Sequence, residues 1–196
     1  MQEERARSSR GAARRAALLE AAAGVVADHG SGSLTHRAVA ARAQVSLASV
    51  TYHFSSIEDL RRSMFAHAGR VVGMEITASF ATGAPGLADL PVMAGDFAVA
   101  LLTRRREATA AVLEMTVAAA HDPALRETFR YFHERLGELL APSVGGAEAG
   151  LAAASALIGL VLCAVPRAEL DTEDFRRSVE RLVRTLAAAS AADTAG

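Results

Sequence analysis

The chain has 196 residues, of which 51% are hydrophobic, so it can bury a sizeable core and is not a disordered protein. Aromatic residues make up only 5%, and the long stretches of alanine, leucine, arginine and glutamate favour helix over strand. The net charge of −1 conceals an asymmetry: residues 1–70 carry 10 arginines against 6 acidic residues, and the remainder carries 11 against 16. A basic N-terminal third suits a polyanionic partner.

The single cysteine, Cys163, excludes an intrachain disulfide, and its apolar surroundings predict a buried structural thiol. The polar N-terminal residues contain no apolar segment typical of a secretion signal. The longest apolar run, residues 151–165, has 15 residues, fewer than the roughly 20 that span a bilayer. We therefore expect a cytoplasmic, soluble protein that does not associate with a membrane.

Apolar residues at helical spacing predict a first helix over residues 12–29. The charged residues before it are predicted to form a flexible arm over residues 1–11. Gly30 follows the last apolar position, where a C-terminal cap belongs.

Two short helices are predicted next, and each is preceded by a residue that caps helices. Thr35 caps a helix over residues 37–43, and Ser46 caps a helix that ends near Phe54. The connection through Gln44 is only a few residues long, so it is predicted to be a tight turn.

The rest of the chain predicts six further helices, which makes nine helices and no strand in an all-α fold. Arg104 to Arg106 are predicted to form a solvated turn, and residues 82–86 a loop rich in glycine and proline. The six predicted helices cover residues 57–81, 91–102, 107–120, 123–140, 147–165 and 172–189.

The stretch from Thr35 to Leu60 carries the functional signal. Two short capped helices across a tight turn are typical of a helix-turn-helix, whose second helix enters the major groove of DNA. A groove-entering helix needs small or polar residues at its leading end, which Leu47, Ala48, Ser49 and Thr51 supply. Apolar residues on the opposite side are predicted to anchor the helix to its domain; they are Val45, Val50 and Phe54.

Residues 12–60 resemble the tetracycline-repressor (TetR) family of regulators, in order and without insertion. The resemblance implies a helix-turn-helix DNA-binding domain over residues 12–56 and a ligand-binding and dimerisation domain over residues 57–196. A further segment, residues 121–126, is similar to the junction of helices six and seven in that family. The matching residues are Arg15, Leu18, Leu19, Ala21, Ala22, Gly30, Thr35, Val39, Ala40, Ala43, Val45, Ser46, Tyr52, His53, Phe54, Glu58, Asp59 and Leu60.

The resemblance also implies roles for single residues. Thr35, Tyr52 and His53 are expected to contact phosphates, and the leading residues of the third helix to face the bases. Two alternatives stay open: Tyr52 as a half-buried core residue and His53 as a polar helix terminus. The complete predicted DNA-binding set is Thr35, Arg37, Ser46, Leu47, Ala48, Ser49, Thr51, Tyr52 and His53.

Two residues depart from the family pattern. The family usually has glycine where Gln44 stands, and a side chain at a left-handed position costs about 1 kcal/mol. The family also usually has lysine where Ile57 stands, so one phosphate contact is expected to be lost.

Helices eight and nine are predicted to form a dimer interface, because helix eight is apolar all round and helix nine has an apolar stripe. This is also what the family resemblance implies. The alternative is that both helices only complete the monomer core. The predicted interface residues are Leu157, Val161, Phe175, Val179, Leu182 and Leu186.

The remaining helices are predicted to hold a small-molecule pocket for a hydrophobic or amphipathic effector, where the family keeps its inducer. Glu75 and Glu114 lie beside apolar positions, so an inward carboxylate could recognise a cationic ligand, although both could also be surface residues. The predicted lining residues are Met74, Phe97, Leu101, Leu113, Thr116, Phe129 and Phe132. Core packing is the alternative for each of them.

These features predict a transcriptional repressor that is released from a palindromic double-stranded DNA operator when ligand binding biases helix four. An enzyme is not expected, because the six histidines are scattered and no nucleophile, metal or phosphate-loop motif occurs. No cofactor, metal or catalytic residue is predicted. The alternative is an interaction protein of the same fold, which is controlled by a protein partner or is impaired in DNA binding.

Overall fold

The computed structural model describes residues 2–80, 89–165 and 169–193. These residues form an all-α fold with nine helices, no strand and a single 3-10 turn at Ser31–Ser33. The predicted loop over residues 82–86 lies outside the described residues. The helices are α1 (Gln2–His29), α2 (His36–Arg42), α3 (Leu47–His53), α4 (Ile57–Phe80), α5 (Leu90–Thr103), α6 (Arg106–Ala118), α7 (Pro123–Val144), α8 (Ala147–Ala164) and α9 (Thr172–Asp193).

Helix α1 begins at Gln2, ten residues before the predicted start at Ala12. The predicted arm over residues 1–11 is therefore wrong for residues 2–11, which are helical. The physical reason is composition, because this segment is rich in glutamate, arginine and alanine and contains no proline. Helix α1 ends as predicted at Gly30, which has a φ of 79° and donates its N–H to the carbonyl of Val26.

Helix α7 extends to Val144, beyond the predicted end at residue 140, and contains Pro142 in its last turn. A proline removes only one backbone hydrogen bond there, while Leu140 and Val144 are both buried. The burial of these side chains outweighs the lost bond. The chain then reverses at Gly145 and Gly146, which both have positive φ angles.

The described chain divides into two compact units. The first consists of residues 1–71 with 107–125, and the second of residues 72–106 with 126–196. The first unit extends beyond the predicted boundary at residue 56: it includes the start of α4, where Leu60, Met64 and Phe65 are fully buried, and α6.

In the second unit α5 packs against both α8 and α9. Gly95 permits the close approach to α9, since a Cβ at this position would lie 2.9 Å from Cγ of Arg176. The predicted stripe of α9 faces this core: Phe175, Val179 and Val183 are buried.

Helix α8 is long and apolar enough to cross a membrane by length and composition alone, with a mean hydropathy of 1.9. Within the second unit it packs against α5 and α9 and buries residues such as Ala154 and Leu157. Its Cys163 is exposed, so the prediction of a buried thiol is wrong. An apolar sequence around a helical residue does not determine which face that residue occupies.

Candidate nucleic-acid interface

The turn between α2 and α3 closes with a paired hydrogen-bond pattern. The N–H of Val45 donates to the carbonyl of Ala40 at 3.0 Å, and the N–H of Gln44 donates to that of Ala41 at 3.2 Å. These two bonds form a Schellman motif, which requires a left-handed residue after the helix. Gln44 is that residue, with a φ of 54°, and no other described residue except glycine has a positive φ. The turn therefore keeps its glycine-type conformation without glycine.

Replacing Gln44 with glycine is expected to stabilise the first unit by about 1 kcal/mol, because glycine adopts a left-handed φ without a Cβ clash. Urea unfolding of the wild type and Gln44→Gly measures the difference. Gln44→Ala is the matched control and should give no such gain, since alanine keeps the Cβ. Equal stability of the glycine and alanine variants would show that the turn is unstrained.

Helix α3 has one face in the core and one in solvent. Val50 and Phe54 are fully buried, and Val45, just before the helix, is half-buried. On the opposite face, Leu47 is exposed and Tyr52 is 86% exposed. The buried residues anchor this short helix in the core. Its exposed residues are therefore free to contact a binding partner without any change of fold.

The predicted base-facing residues lie on this outer side. Leu47, Ala48 and Thr51 are exposed, and Ser49 is half-buried. The hydroxyl of Thr51 lies within hydrogen-bond distance of the carbonyls of Leu47 and Ala48, at 3.3 and 3.2 Å. When it donates to either carbonyl, its oxygen is left to face outward as an acceptor.

Two residues of the predicted DNA-binding set also serve as helix caps. The hydroxyl of Thr35 accepts from the N–H of Ala38 at 3.0 Å, and that of Ser46 accepts from the N–H of Ser49 at 3.2 Å. Both side chains are at exposed positions, so each hydroxyl can still donate its proton to a phosphate oxygen. Arg37 is exposed on the first turn of α2.

The sequence left open that Tyr52 is a half-buried core residue and that His53 is only a polar residue at a helix terminus. The exposure of Tyr52 is incompatible with a half-buried core residue. His53 is half-buried at the last position of α3, and its ring packs edge-on against that of Tyr52 at a centroid distance of 5.2 Å. Ile57, where the family usually has lysine, is half-buried at the start of α4.

Two side chains that sequence reasoning gave no structural role hold the end of α3. The guanidinium of Arg15 lies 4.8 Å from the ring centroid of Phe54 and donates to the hydroxyl of Ser63 at 2.8 Å. Nε2 of His36 is 3.0 Å from the carbonyl oxygen of Phe54. Arg15 belongs to the family match, which was the only sequence signal for it.

Arg42 joins three helices of the first unit. Its guanidinium contacts Asp28 of α1 at 2.7 Å and Glu107 of α6 at 2.6 Å. These carboxylates, with Asp28 the larger influence, raise the pKa of Arg42. Gly24 makes room for the side chain, because a Cβ there would lie 2.2 Å from Nε of Arg42. Sequence reasoning missed this cluster, since Arg42 and Glu107 are 65 positions apart and share no local pattern.

The predicted dimer residues lie mostly inside the second unit. Leu157, Val161, Phe175 and Val179 are buried there, whereas Leu182 and Leu186 are half-buried. The first four contribute to the core of the second unit, where α5 packs against α8 and α9. The exposed side of α8 instead carries Leu151 and Leu162.

The predicted ligand-lining residues are divided between the two units. Met74 is exposed, while Phe97 and Leu101 are buried in the second unit. Phe129 and Phe132 are half-buried in the second unit, and Phe129 stacks on His133. Leu113, which is buried, and Thr116, which is half-buried, belong to the first unit.

Of the two candidate carboxylates, Glu75 is buried and Glu114 is half-buried. Arg104 and Arg105 hold the carboxylate of Glu75, so they are not only a solvated turn.

One family of known proteins matches this part of the chain. The family model described as "Bacterial regulatory proteins, tetR family" matches residues 18–64, which include all of α2 and α3. No curated protein matches the chain.

Several solved structures share the fold. A TetR-family member from Streptomyces coelicolor A3 is 30% identical with a TM-score of 0.70, over 86% of this chain and 97% of that one. The multidrug binding protein EbrR complexed with ethidium is 30% identical with a TM-score of 0.65, over 86% and 98% of the two chains. A protein from Mesorhizobium loti, 18% identical with a TM-score of 0.71 over 92% and 98%, shows the fold alone. The chain therefore belongs to the TetR family and carries its DNA-binding helix-turn-helix at the N-terminus.

Proposed function

We propose that the protein is a cytoplasmic transcriptional repressor that binds a palindromic DNA operator and is released from it by a small hydrophobic or amphipathic ligand. The observation that carries the DNA-binding part is the outer face of α3, where Leu47, Ala48, Thr51 and Tyr52 are all exposed. Val50 and Phe54 of the same segment are fully buried, so this face is presented by a firmly held helix.

The outer face recognises DNA through apolar contacts and through single hydrogen bonds from hydroxyl groups. Leu47 and Ala48 pack against thymine methyl groups, and the hydroxyls of Ser49 and Thr51 bond to base edges. No arginine or asparagine in α3 provides a bidentate contact. Specificity therefore also depends on the sequence-dependent shape of the DNA.

We propose that two copies bind together, because twofold half-sites double the contacts. The surface that supports this is the exposed side of α8, where Leu151, Ser155 and Leu162 lie along one face and leave apolar area uncovered. Sedimentation of the chain at micromolar concentration is expected to give a dimer. A stable monomer under these conditions would contradict the proposal.

The proposed ligand response is supported by the EbrR structures, since that protein is described as multidrug binding and was solved with ethidium and with proflavin. Helix α4 contributes residues to both units of the chain. We propose that ligand binding shifts the population of α4 conformations and thereby alters the spacing of the two recognition helices from the ~34–36 Å of successive major grooves.

Selection of bound sequences from random DNA, followed by gel shifts over a salt series, tests the function. The expected result is a palindrome whose binding weakens steeply with salt and yet persists against competitor DNA. Binding without sequence preference would overturn the repressor proposal and favour an interaction protein of the same fold.

A further inference from the structure

Helix α4 carries a histidine with a ring nitrogen that is buried without a partner. Among the described residues, Nε2 of His67 is the one buried side-chain nitrogen or oxygen atom that makes no hydrogen bond. Oε1 of Glu20 on α1 lies 4.0 Å away, which is beyond hydrogen-bond distance. A neutral imidazole tolerates this position better than a charged one, because an unpaired buried charge costs more free energy than an unpaired buried polar group.

The charges around this ring are mostly positive. In the described part of the chain they are Arg70 on α4 itself and Arg15 and Glu20 on α1. Burial is the largest influence that lowers the pKa of His67, the charges of Arg70 and Arg15 act in the same direction, and Glu20 opposes them. The side chain of Glu20 is 69% exposed, so solvent screens its attraction. The folded first unit therefore favours the neutral ring.

The same face of α4 carries a contact that holds the recognition helix. Ser63 lies one helical turn before His67. Its hydroxyl accepts from Nη2 of Arg15 at 2.8 Å, and the guanidinium of Arg15 lies over the ring of Phe54 at the end of α3. All of these residues belong to the first unit. A charge on His67 would thus arise one turn from the contact that holds the end of α3.

We propose that His67 makes operator binding sensitive to acid. Nε2 of a protonated ring has no acceptor within hydrogen-bond distance among the described residues, so it becomes hydrated only when α4 and α1 separate. Their separation releases the contacts of Arg15 and leaves the end of α3 less firmly held. The effect on operator binding rests on the proposed function, whereas the effect on stability does not.

The direction of the effect follows from the proton affinities of the folded and unfolded states. The unfolded chain binds the proton with the ordinary histidine pKa of about 6.5, and the folded chain binds it less readily because burial lowers the pKa of His67. Stability that is present above about pH 6.5 is therefore lost progressively as the pH falls below that value. A single group changes the folding equilibrium constant by at most about tenfold per pH unit.

Urea unfolding and operator gel shifts of the full chain, each at about pH 7.5 and about pH 5.5, test the proposal. Between these pH values the folding equilibrium constant of the wild type is expected to fall severalfold, and by up to about tenfold, more than that of His67→Gln, which cannot bind the proton. Operator affinity is expected to follow the same order. His29→Gln, which removes an exposed histidine of α1, is the matched control and should keep the wild-type response. The predicted phosphate contact His53 is present in all three proteins, so any gain in affinity from its own charge cancels in the comparison.

The inference is overturned if the wild type and His67→Gln lose stability by factors that agree within about twofold, or if their operator affinities change alike. If His67→Gln does not fold, His67→Leu decides, because leucine suits a buried position and carries no titratable group. Proton NMR of the wild-type ring needs no variant, and titration of His67 at or above about pH 6.5 would likewise overturn the inference. Failure of the proposed function is distinguishable, because it would appear as missing operator binding at neutral pH while the pH dependence of stability still differs between the variants.

Discussion

Tyr52→Ala is expected to weaken binding to every DNA sequence alike, by about tenfold or more, because it removes the hydroxyl that we propose to bond to a charged phosphate. The side chain is 86% exposed, so its loss should leave the fold intact. Gel shifts with the selected operator and with random DNA measure the two affinities, and they should fall by a similar factor.

Two controls separate the loss of a phosphate contact from a change in the recognition of bases. Tyr52→Phe keeps the ring and removes only the hydroxyl, so it should reproduce most of the loss. Ser49→Ala and Thr51→Ala should instead change which sequence is preferred, because these are the hydroxyls that we propose to bond to base edges. If Tyr52→Ala changed sequence preference and left nonspecific binding intact, the phosphate role of Tyr52 would be wrong.

Phe54→Ala is expected to destabilise the first unit by about 3–5 kcal/mol, the usual cost of truncating a buried aromatic side chain. The ring is fully buried and lies beneath the guanidinium of Arg15, so the substitution leaves a cavity and removes a cation–π contact. Chemical denaturation measures the stability, and operator binding should fall because the end of α3 is no longer held.

Tyr52→Ala is the matched control, since it removes the other aromatic ring of the same short segment from an exposed position. It should change the free energy of unfolding by less than about 0.5 kcal/mol. Comparable losses in the two alanine variants would contradict the assignment of an inner and an outer face to α3.

The helix-turn-helix could be predicted nearly residue by residue because its signals are local. Thr35 and Ser46 cap the helices that they precede, and Ser56 accepts from the N–H of Asp59 at the start of α4. The turn at Gln44 is also local, since its conformation depends on the hydrogen bonds of the preceding helix. Each of these features involves residues no more than five positions apart.

Burial depends on tertiary packing, so a local sequence pattern does not determine it. The apolar character of the interface residues on α8 and α9 does not tell whether each of them faces a second copy or the core. Leu157 and Val179 face the core. Met74 shows the opposite case, because an apolar residue beside buried positions lies in solvent.

The sequence by itself determined the all-helical fold, the order of the helices and the capped helix-turn-helix, because helical spacing and caps act over a few residues. Only the tertiary structure decided which contacts hold the helix-turn-helix. They are the ion pair of Arg42 with Glu107 and the cation–π contact of Arg15 with Phe54. It also decided that Glu75 is a buried carboxylate with two arginine partners. These pairs join residues that are dozens of positions apart. A local sequence pattern therefore cannot predict them, and only tertiary packing brings the residues together.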